Sequence, residues 1–174
     1  LALVVNYQIL TPYYFALFTL LLTILLLLNH LRPLAFLNKI IIYFERKPLP
    51  KFLGLGPLLF TWSSLVAVFA FPLPVATVAI LTLAVGDSIN AITGYYLNNG
   101  HSLKKRWSAA FASAIAAATV SLPYVPLKFL APAIITTTLL EFSEPKIDGR
   151  RLNDNLFIPL ATGGVILMMQ KLLG

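Results

Sequence analysis

Seven apolar runs, separated only by short polar connections, take up most of this chain: 11–28, 33–44, 52–71, 73–97, 107–122, 127–140 and 156–173. A helix needs roughly 20 apolar residues to cross the hydrocarbon of a bilayer. The first, third, fourth and seventh runs approach or exceed that length. The fifth and sixth reach it with their flanking residues. The second is too short to cross comfortably and reads as an interfacial or tilted helix. The expected fold is therefore all-α: a polytopic bundle of six or seven transmembrane helices, one domain over 1–174. Prolines 33, 72, 74, 123, 126 and 159 mark segment starts and tight turns. In the fifth run Ala109, Ala110, Ser113, Ala114, Ala117 and Ala118 put small residues at helical spacing, which lets a neighbouring backbone approach closely.

Only 11% of residues are charged, 59% are hydrophobic, and the formal net charge is +7. The basic residues come in short clusters between apolar runs, a pattern that orients membrane proteins and meets anionic lipid headgroups, not nucleic acid. There is no Cys, so disulfides, thiolate metal sites and Cys nucleophiles are excluded. His30 and His101 are far apart and read as interfacial bystanders. The first run has no basic segment before it and no small-residue cleavage site, so it is expected to be retained as a helix.

If all seven runs cross, one face holds Arg46, Lys47, Lys51, Lys104, Lys105, Arg106, Lys146, Arg150 and Arg151, nine of the 13 basic residues. That bias makes the face cytoplasmic. Glu45, Glu141, Glu144, Asp148 and Asp154 fall on the same face. Asp87 lies inside the fourth run, roughly 15 Å deep at 1.5 Å per residue. An acid within a membrane segment is expensive, and by default marks function. If the second run does not cross, the later loops keep their mutual arrangement and the N-terminus changes side.

Carboxylates and many cations on one face suit phosphate chemistry. Carboxylates hold Mg²⁺, Mg²⁺ carries substrate phosphates, and Lys and Arg neutralise the remaining charge. Phosphoryl transfer asks for little else. A site set into a membrane adds a lipid as the second substrate. The structural alternatives are plain: Asp87 as a buried acid bonded to Asn90, Asp154 with Asn155 as a helix cap, Glu141 paired with an Arg, Glu45 paired with Lys47 or Lys51.

The string Gly86-Asp87-Ser88-Ile89-Asn90-Ala91-Ile92-Thr93-Gly94 resembles the Gly-Asp-x-x-Ala-x-x-x-Gly signature of the dolichol kinase, phytol kinase and CTP-dependent diacylglycerol kinase group, distant relatives of phosphatidate cytidylyltransferase. Lys104-Lys105-Arg106-Trp107-Ser108-Ala109 falls where that family has Lys-Thr-x-Glu-Gly-Ser. Glu141 and Asn153-Asp154-Asn155-Leu156-Phe157-Ile158-Pro159 resemble its Glu followed by Asp-Asp-Asn-Leu-Thr-x-Pro. Glu45-Arg46-Lys47 and Gly56-Pro57-Leu58 fit its looser upstream pattern, so the likeness covers about residues 45–164. Asn90, Ser108, Ala109 and Asn153 depart from the pattern.

The resemblance implies transfer of the γ-phosphate of CTP to a membrane lipid alcohol of the dolichol, phytol or geranylgeraniol class. It implies Mg²⁺ on Asp87, Glu141 and Asp154, catalytic roles for Asp87, Glu45 and Asp154, and nucleotide contacts from Lys104, Lys105, Arg106, Asn90, Gly94, Arg150, Arg151 and Asn155. The implied location is the cell membrane or the endoplasmic reticulum, with the site on the cytoplasmic side. A cytidylyltransferase making a CDP-lipid is the nearest alternative, and a transporter or scaffold the next.

Overall fold

The computed structural model describes residues 12–44, 52–96, 103–143, 146–147, 150–151 and 153–174. Among them seven helices run in order: α1 Pro12–Leu31, α2 Ala35–Phe44, α3 Leu55–Ala70, α4 Leu73–Tyr96, α5 Leu103–Ser121, α6 Leu127–Ser143 and α7 Asp154–Leu173. A two-residue antiparallel pair, β1 Lys146–Ile147 and β2 Arg150–Arg151, precedes α7.

Prolines set several of these boundaries. Pro72 pushes the residue before it out of the helical region. Phe71 accordingly sits at φ −120°, ψ 152°, and α3 stops there. Pro12 opens α1, at a position whose missing N–H costs the helix nothing. Polar residues survive inside apolar helices by bonding their own backbone: Thr19, Thr77 and Thr162 each donate to the carbonyl four residues earlier at 2.8–3.0 Å.

α4, α5, α6 and α7 form a ring in which each helix packs on the next and α7 closes back on α4. α3 lies across α4 and α7, and α1 lies on α3. The core sits towards one end of the ring and gathers Val75, Val78, Ala117, Val125, Phe129, Leu130, Ala133, Ile134 and Ile166. Of the small stripe expected on the fifth run, Ala109, Ser113 and Ala117 are buried and Ala110, Ala114 and Ala118 half-buried; Ser121, also buried, lies outside that expected set.

Neighbouring ring helices are antiparallel. The middle of α4, the middle of α5 from Ser113 to Ala117, the second half of α6 and the first turn of α7 line one recess. At the other end Lys128, in the first turn of α6, reaches the carbonyl of Leu173 at 3.4 Å. α3 starts at the recess end too, because Ser63 donates to the Asn155 carbonyl at 2.5 Å.

α1 runs antiparallel to α3 and ends beside its start. Gly54, at φ +88°, lies so close to Leu26 that a Cβ there would meet Leu26 Cδ2 at 2.7 Å, and Trp62 donates to Thr23 at 3.0 Å. The chain therefore leaves α1 and re-enters at α3 on the same end of the bundle. Asn29 fixes this corner: it accepts from the Leu34 N–H at 2.9 Å and donates to Asn38 at 2.7 Å. The second run, read as too short to cross comfortably, forms the ten-residue α2 at that end.

Three helices are long and apolar enough to span a membrane: Pro12–Leu31, Leu73–Thr93 and Asp154–Leu173. Leu55–Ala70 and Trp107–Ser121 are apolar but shorter. Large apolar side chains face outwards, among them Tyr13, Leu28, Phe69, Phe111, Ile115, Ile135 and Leu172. An exterior of that kind belongs in lipid.

Candidate functional site

The recess between α4, α5, α6 and α7 encloses about 20 Å³, room for about one water molecule, and is open to solvent on one side. Each helix contributes residues four apart, the spacing that stacks side chains on one face. α4 gives Thr82 with Gly86 and Leu83 with Asp87; α5 gives Ser113 with Ala117; α6 gives Ile134 with Thr138 and Thr137 with Glu141; α7 gives Asp154 with Ile158. The three acids read from the sequence as site residues, Asp87, Glu141 and Asp154, thus line one hollow although they are 13 to 67 residues apart in the chain (154 − 141 and 154 − 87).

Each acid is half-buried and sits in its own surroundings. Asp87 follows Gly86, where an added Cβ would meet nothing within 4 Å, so free space lies against the backbone of α4. Glu141 accepts a 2.6 Å hydrogen bond from Asn90 Nδ2. Asn90, expected beside Asp87, therefore spends its amide on the acid of α6. Asp154 is the first residue of α7, near the positive end of that helix. The cap is Asn153, whose side chain accepts from the Asn155 N–H at 3.1 Å. Asp154 Oδ1 accepts from the same Asn155 N–H at 3.0 Å, so the expected capping role of Asp154 is shared with Asn153 while its carboxylate also lines the recess.

The other expected residues divide. Asn155 turns to α3: its carbonyl holds Ser63 and its Nδ2 lies 3.4 Å from where a Cβ on Gly56 would stand. Gly94 is on α4, Lys104, Lys105 and Arg106 are in the first turn of α5, and Arg150 and Arg151 form β2. These backbones all lie in elements leading to or from the recess end, but their side chains lie outside the described residues. Glu45 also lies outside them.

The sequence reading missed the hydroxyls. Thr82, Ser113, Thr137 and Thr138 all line the recess. The available signal was spacing, since Thr82 is four residues before Gly86 and Thr137 four before Glu141.

Among the described residues no three His, Asp or Glu side chains come close enough to hold a metal ion together. Mg²⁺ is usually held by one or two carboxylates plus substrate phosphates, and keeps several waters. The hard oxygens of Asp87 and Asp154 suit an ion that arrives with a phosphate ligand, and do not suit a resident ion caged by protein alone. The walls otherwise present hydrogen-bond acceptors: Ser113 and Thr137 donate to Ala110 and Ala133 of their own helices at 3.0 and 2.9 Å, leaving lone pairs.

No protein-family model, curated protein or solved structure matches this chain. The fold and recess define it as an apolar helical bundle with three described helices long and apolar enough to cross a membrane, and an acidic, hydroxyl-lined hollow.

Proposed function

We propose that the chain is a membrane-embedded lipid kinase that transfers the γ-phosphate of CTP to a polyprenol-type alcohol. The observation that carries this reading is the joint placement of Asp87, Glu141 and Asp154 around one recess, at the end of the bundle from which the basic connections depart. With α2 taken out of the crossing set, six helices alternate through the bilayer. Arg32 and Lys39 then join the other nine, and 11 of the 13 basic residues lie on the recess side, with Lys128 and Lys171 opposite. That asymmetry supports a reading in which the recess faces the cytoplasm.

The recess residues divide the work. Asp87 and Asp154 hold Mg²⁺ when it enters with the triphosphate, and the ion supplies charge neutralisation at the phosphates. Lys105 and Arg150 or Arg151 offset the negative charge that develops on the transferring group. The alcohol approaches from the bilayer between helices. Its oxygen bonds to the γ-phosphorus as the bond from that phosphorus to the β–γ bridging oxygen breaks. CDP leaves, and the hydroxyl proton passes to Asp87 or Glu45.

The test is incubation of the purified protein in detergent with γ-labelled CTP, Mg²⁺ and a panel of lipid alcohols. Label moves to lipid and CDP is released, whereas Asp87→Asn melts like the wild type and transfers nothing. Pyrophosphate release with a CDP-lipid would replace this reading by cytidylyl transfer, and wild-type turnover by Asp87→Asn would remove Asp87 from the chemistry.

A further inference from the structure

One hydroxyl in the recess behaves unlike its counterparts. Thr19, Thr23, Thr77, Ser88, Thr119 and Thr162 all turn their hydroxyl protons back onto the carbonyl four residues earlier, at 2.7–3.0 Å. Thr82 does not, although the carbonyl of Val78 stands at that position. Its residue is only 6% exposed, and its Oγ1 is buried with no hydrogen-bond partner. A buried hydroxyl left unsatisfied is destabilising, so few occur without a reason. Ser64 and Ser121 are the other such hydroxyls among the described residues, and neither lines the recess. Thr82 does, one turn below Gly86, where the backbone leaves open space.

The chemistry around Thr82 selects what can sit there. Its hydroxyl has a proton to give. Thr138 apart, the rest of the recess mainly accepts: the carboxylates of Asp87, Glu141 and Asp154, and the oxygens of Ser113 and Thr137, whose protons are already used on their own helices. A group that both accepts from Thr82 and donates to a carboxylate satisfies both sides. A hydroxyl does this with one atom. An ether, ester or phosphate oxygen only accepts, and would set its lone pairs against the carboxylates. Leu83, Ala117, Ile134 and Ile158 supply apolar wall for a hydrocarbon carrier.

We propose that the recess is the acceptor-alcohol subsite, in which Thr82 Oγ1 donates to the alcohol oxygen while the alcohol O–H donates to Asp87, with the space over Gly86 receiving the carbinol carbon. The assignment rests on the reading that a lipid alcohol is the acceptor, and adds to it the residue that holds the hydroxyl and the gap that admits it. With the proton directed at Asp87 and the lone pair steadied by Thr82, the oxygen is oriented towards a phosphate entering from the mouth of the recess.

Two substitutions separate binding from folding. Thr82→Val keeps the shape and removes an unsatisfied polar group, so the free protein should melt at the same or a higher temperature. Gly86→Ala adds a methyl group into open space and exchanges a helical Gly for the best helix former, so it too should melt no lower. Both should weaken alcohol binding, by about tenfold for the single lost hydrogen bond of Thr82→Val, while Thr82→Ser retains it.

The experiment follows the melting of each protein in detergent micelles against increasing geranylgeraniol, with geranylgeranyl methyl ether as the probe that cannot donate. The expected result is stabilisation of the wild type by the alcohol and not by the ether, with the response lost or shifted to higher concentration in Thr82→Val and Gly86→Ala. Equal responses to alcohol and ether, no response in the wild type, or an unchanged response in Thr82→Val would overturn the subsite. Phosphate transfer from labelled CTP, measured on the same samples, keeps the two readings apart. Transfer that Thr82→Val leaves unaltered preserves the kinase and overturns the subsite. Alcohol binding that depends on Thr82 without any transfer supports the subsite and removes the kinase.

Discussion

The hydrogen bond from Asn90 to Glu141 joins α4 to α6 across the recess, and its strength can be worked out before it is measured. The separation is 2.6 Å, between half-buried side chains. A bond to an ionised carboxylate contributes about 1.5–3 kcal/mol, and partial exposure places this one near the lower limit. Asn90→Ala should therefore destabilise the bundle by about 1.5 kcal/mol, or about 3–6 °C in melting temperature for a chain of this size.

The figure mixes the bond with the loss of Asn90 packing, so a double-mutant cycle is needed. Asn90→Ala, Glu141→Ala and the double variant are unfolded reversibly in mixed micelles, with helicity as the signal. The coupling expected is about 1–1.5 kcal/mol. Replacing the second variant by Glu141→Gln keeps an acceptor but removes its charge, and should cut the coupling to about half, since charge-assisted bonds are roughly twice as strong as neutral ones. Single effects that add to within about 0.5 kcal/mol would show the two residues to be energetically independent, and the tie between α4 and α6 would be refuted.

Other substitutions test separate features. Gly163→Ala should destabilise by about 1–3 kcal/mol, because its Cβ would lie 2.2 Å from Phe71 Cε2, while Gly164→Ala next to it, with nothing within 4 Å, should melt no lower than the wild type. Asn153→Ala should cost no more than about 1 kcal/mol, because Asp154 Oδ1 still accepts from the Asn155 N–H, and Asn153→Asp should restore most of the loss. The chain has no Cys, so single cysteines report its topology without background. In sealed inverted vesicles an impermeant maleimide should label Arg32→Cys and Ser143→Cys together and spare Lys128→Cys. Opposite accessibility of Arg32→Cys and Ser143→Cys would put α2 back among the crossing helices.

The helices were legible because their signals are local. Apolar length locates α1, α4 and α7, and the prolines at 72, 123 and 126 fall at the breaks between helices. The small-residue stripe of α5 needed only its spacing. The shared recess of three acids was also legible, since an alternating bundle must bring the end of α4, the end of α6 and the start of α7 to one side. Partner choice was not. Asn90 stands one turn from Asp87 in sequence, yet bonds Glu141, because the approach of α6 offers a carboxylate at 2.6 Å. Asn155 reads as a site residue by adjacency to Asp154, but a helical turn separates neighbouring side chains by about 100°, enough to send it to α3.

The short helices carry a further lesson about how this bundle meets a bilayer. Leu55–Ala70 and Trp107–Ser121 fall below the spanning length when judged alone. Each is followed or preceded by a connection at the recess end, and α3 and α5 are packed against α4, which runs for 24 residues. A helix flanked by protein need not match the hydrocarbon thickness, because its ends are covered by its neighbours and by the polar hollow. α4 is the longest helix described, and Asp87 lies about 14 Å before its end, at 1.5 Å per residue. The carboxylate is thus at membrane depth by sequence but beside a polar opening by packing. That combination lets an ionisable group persist in so apolar a chain.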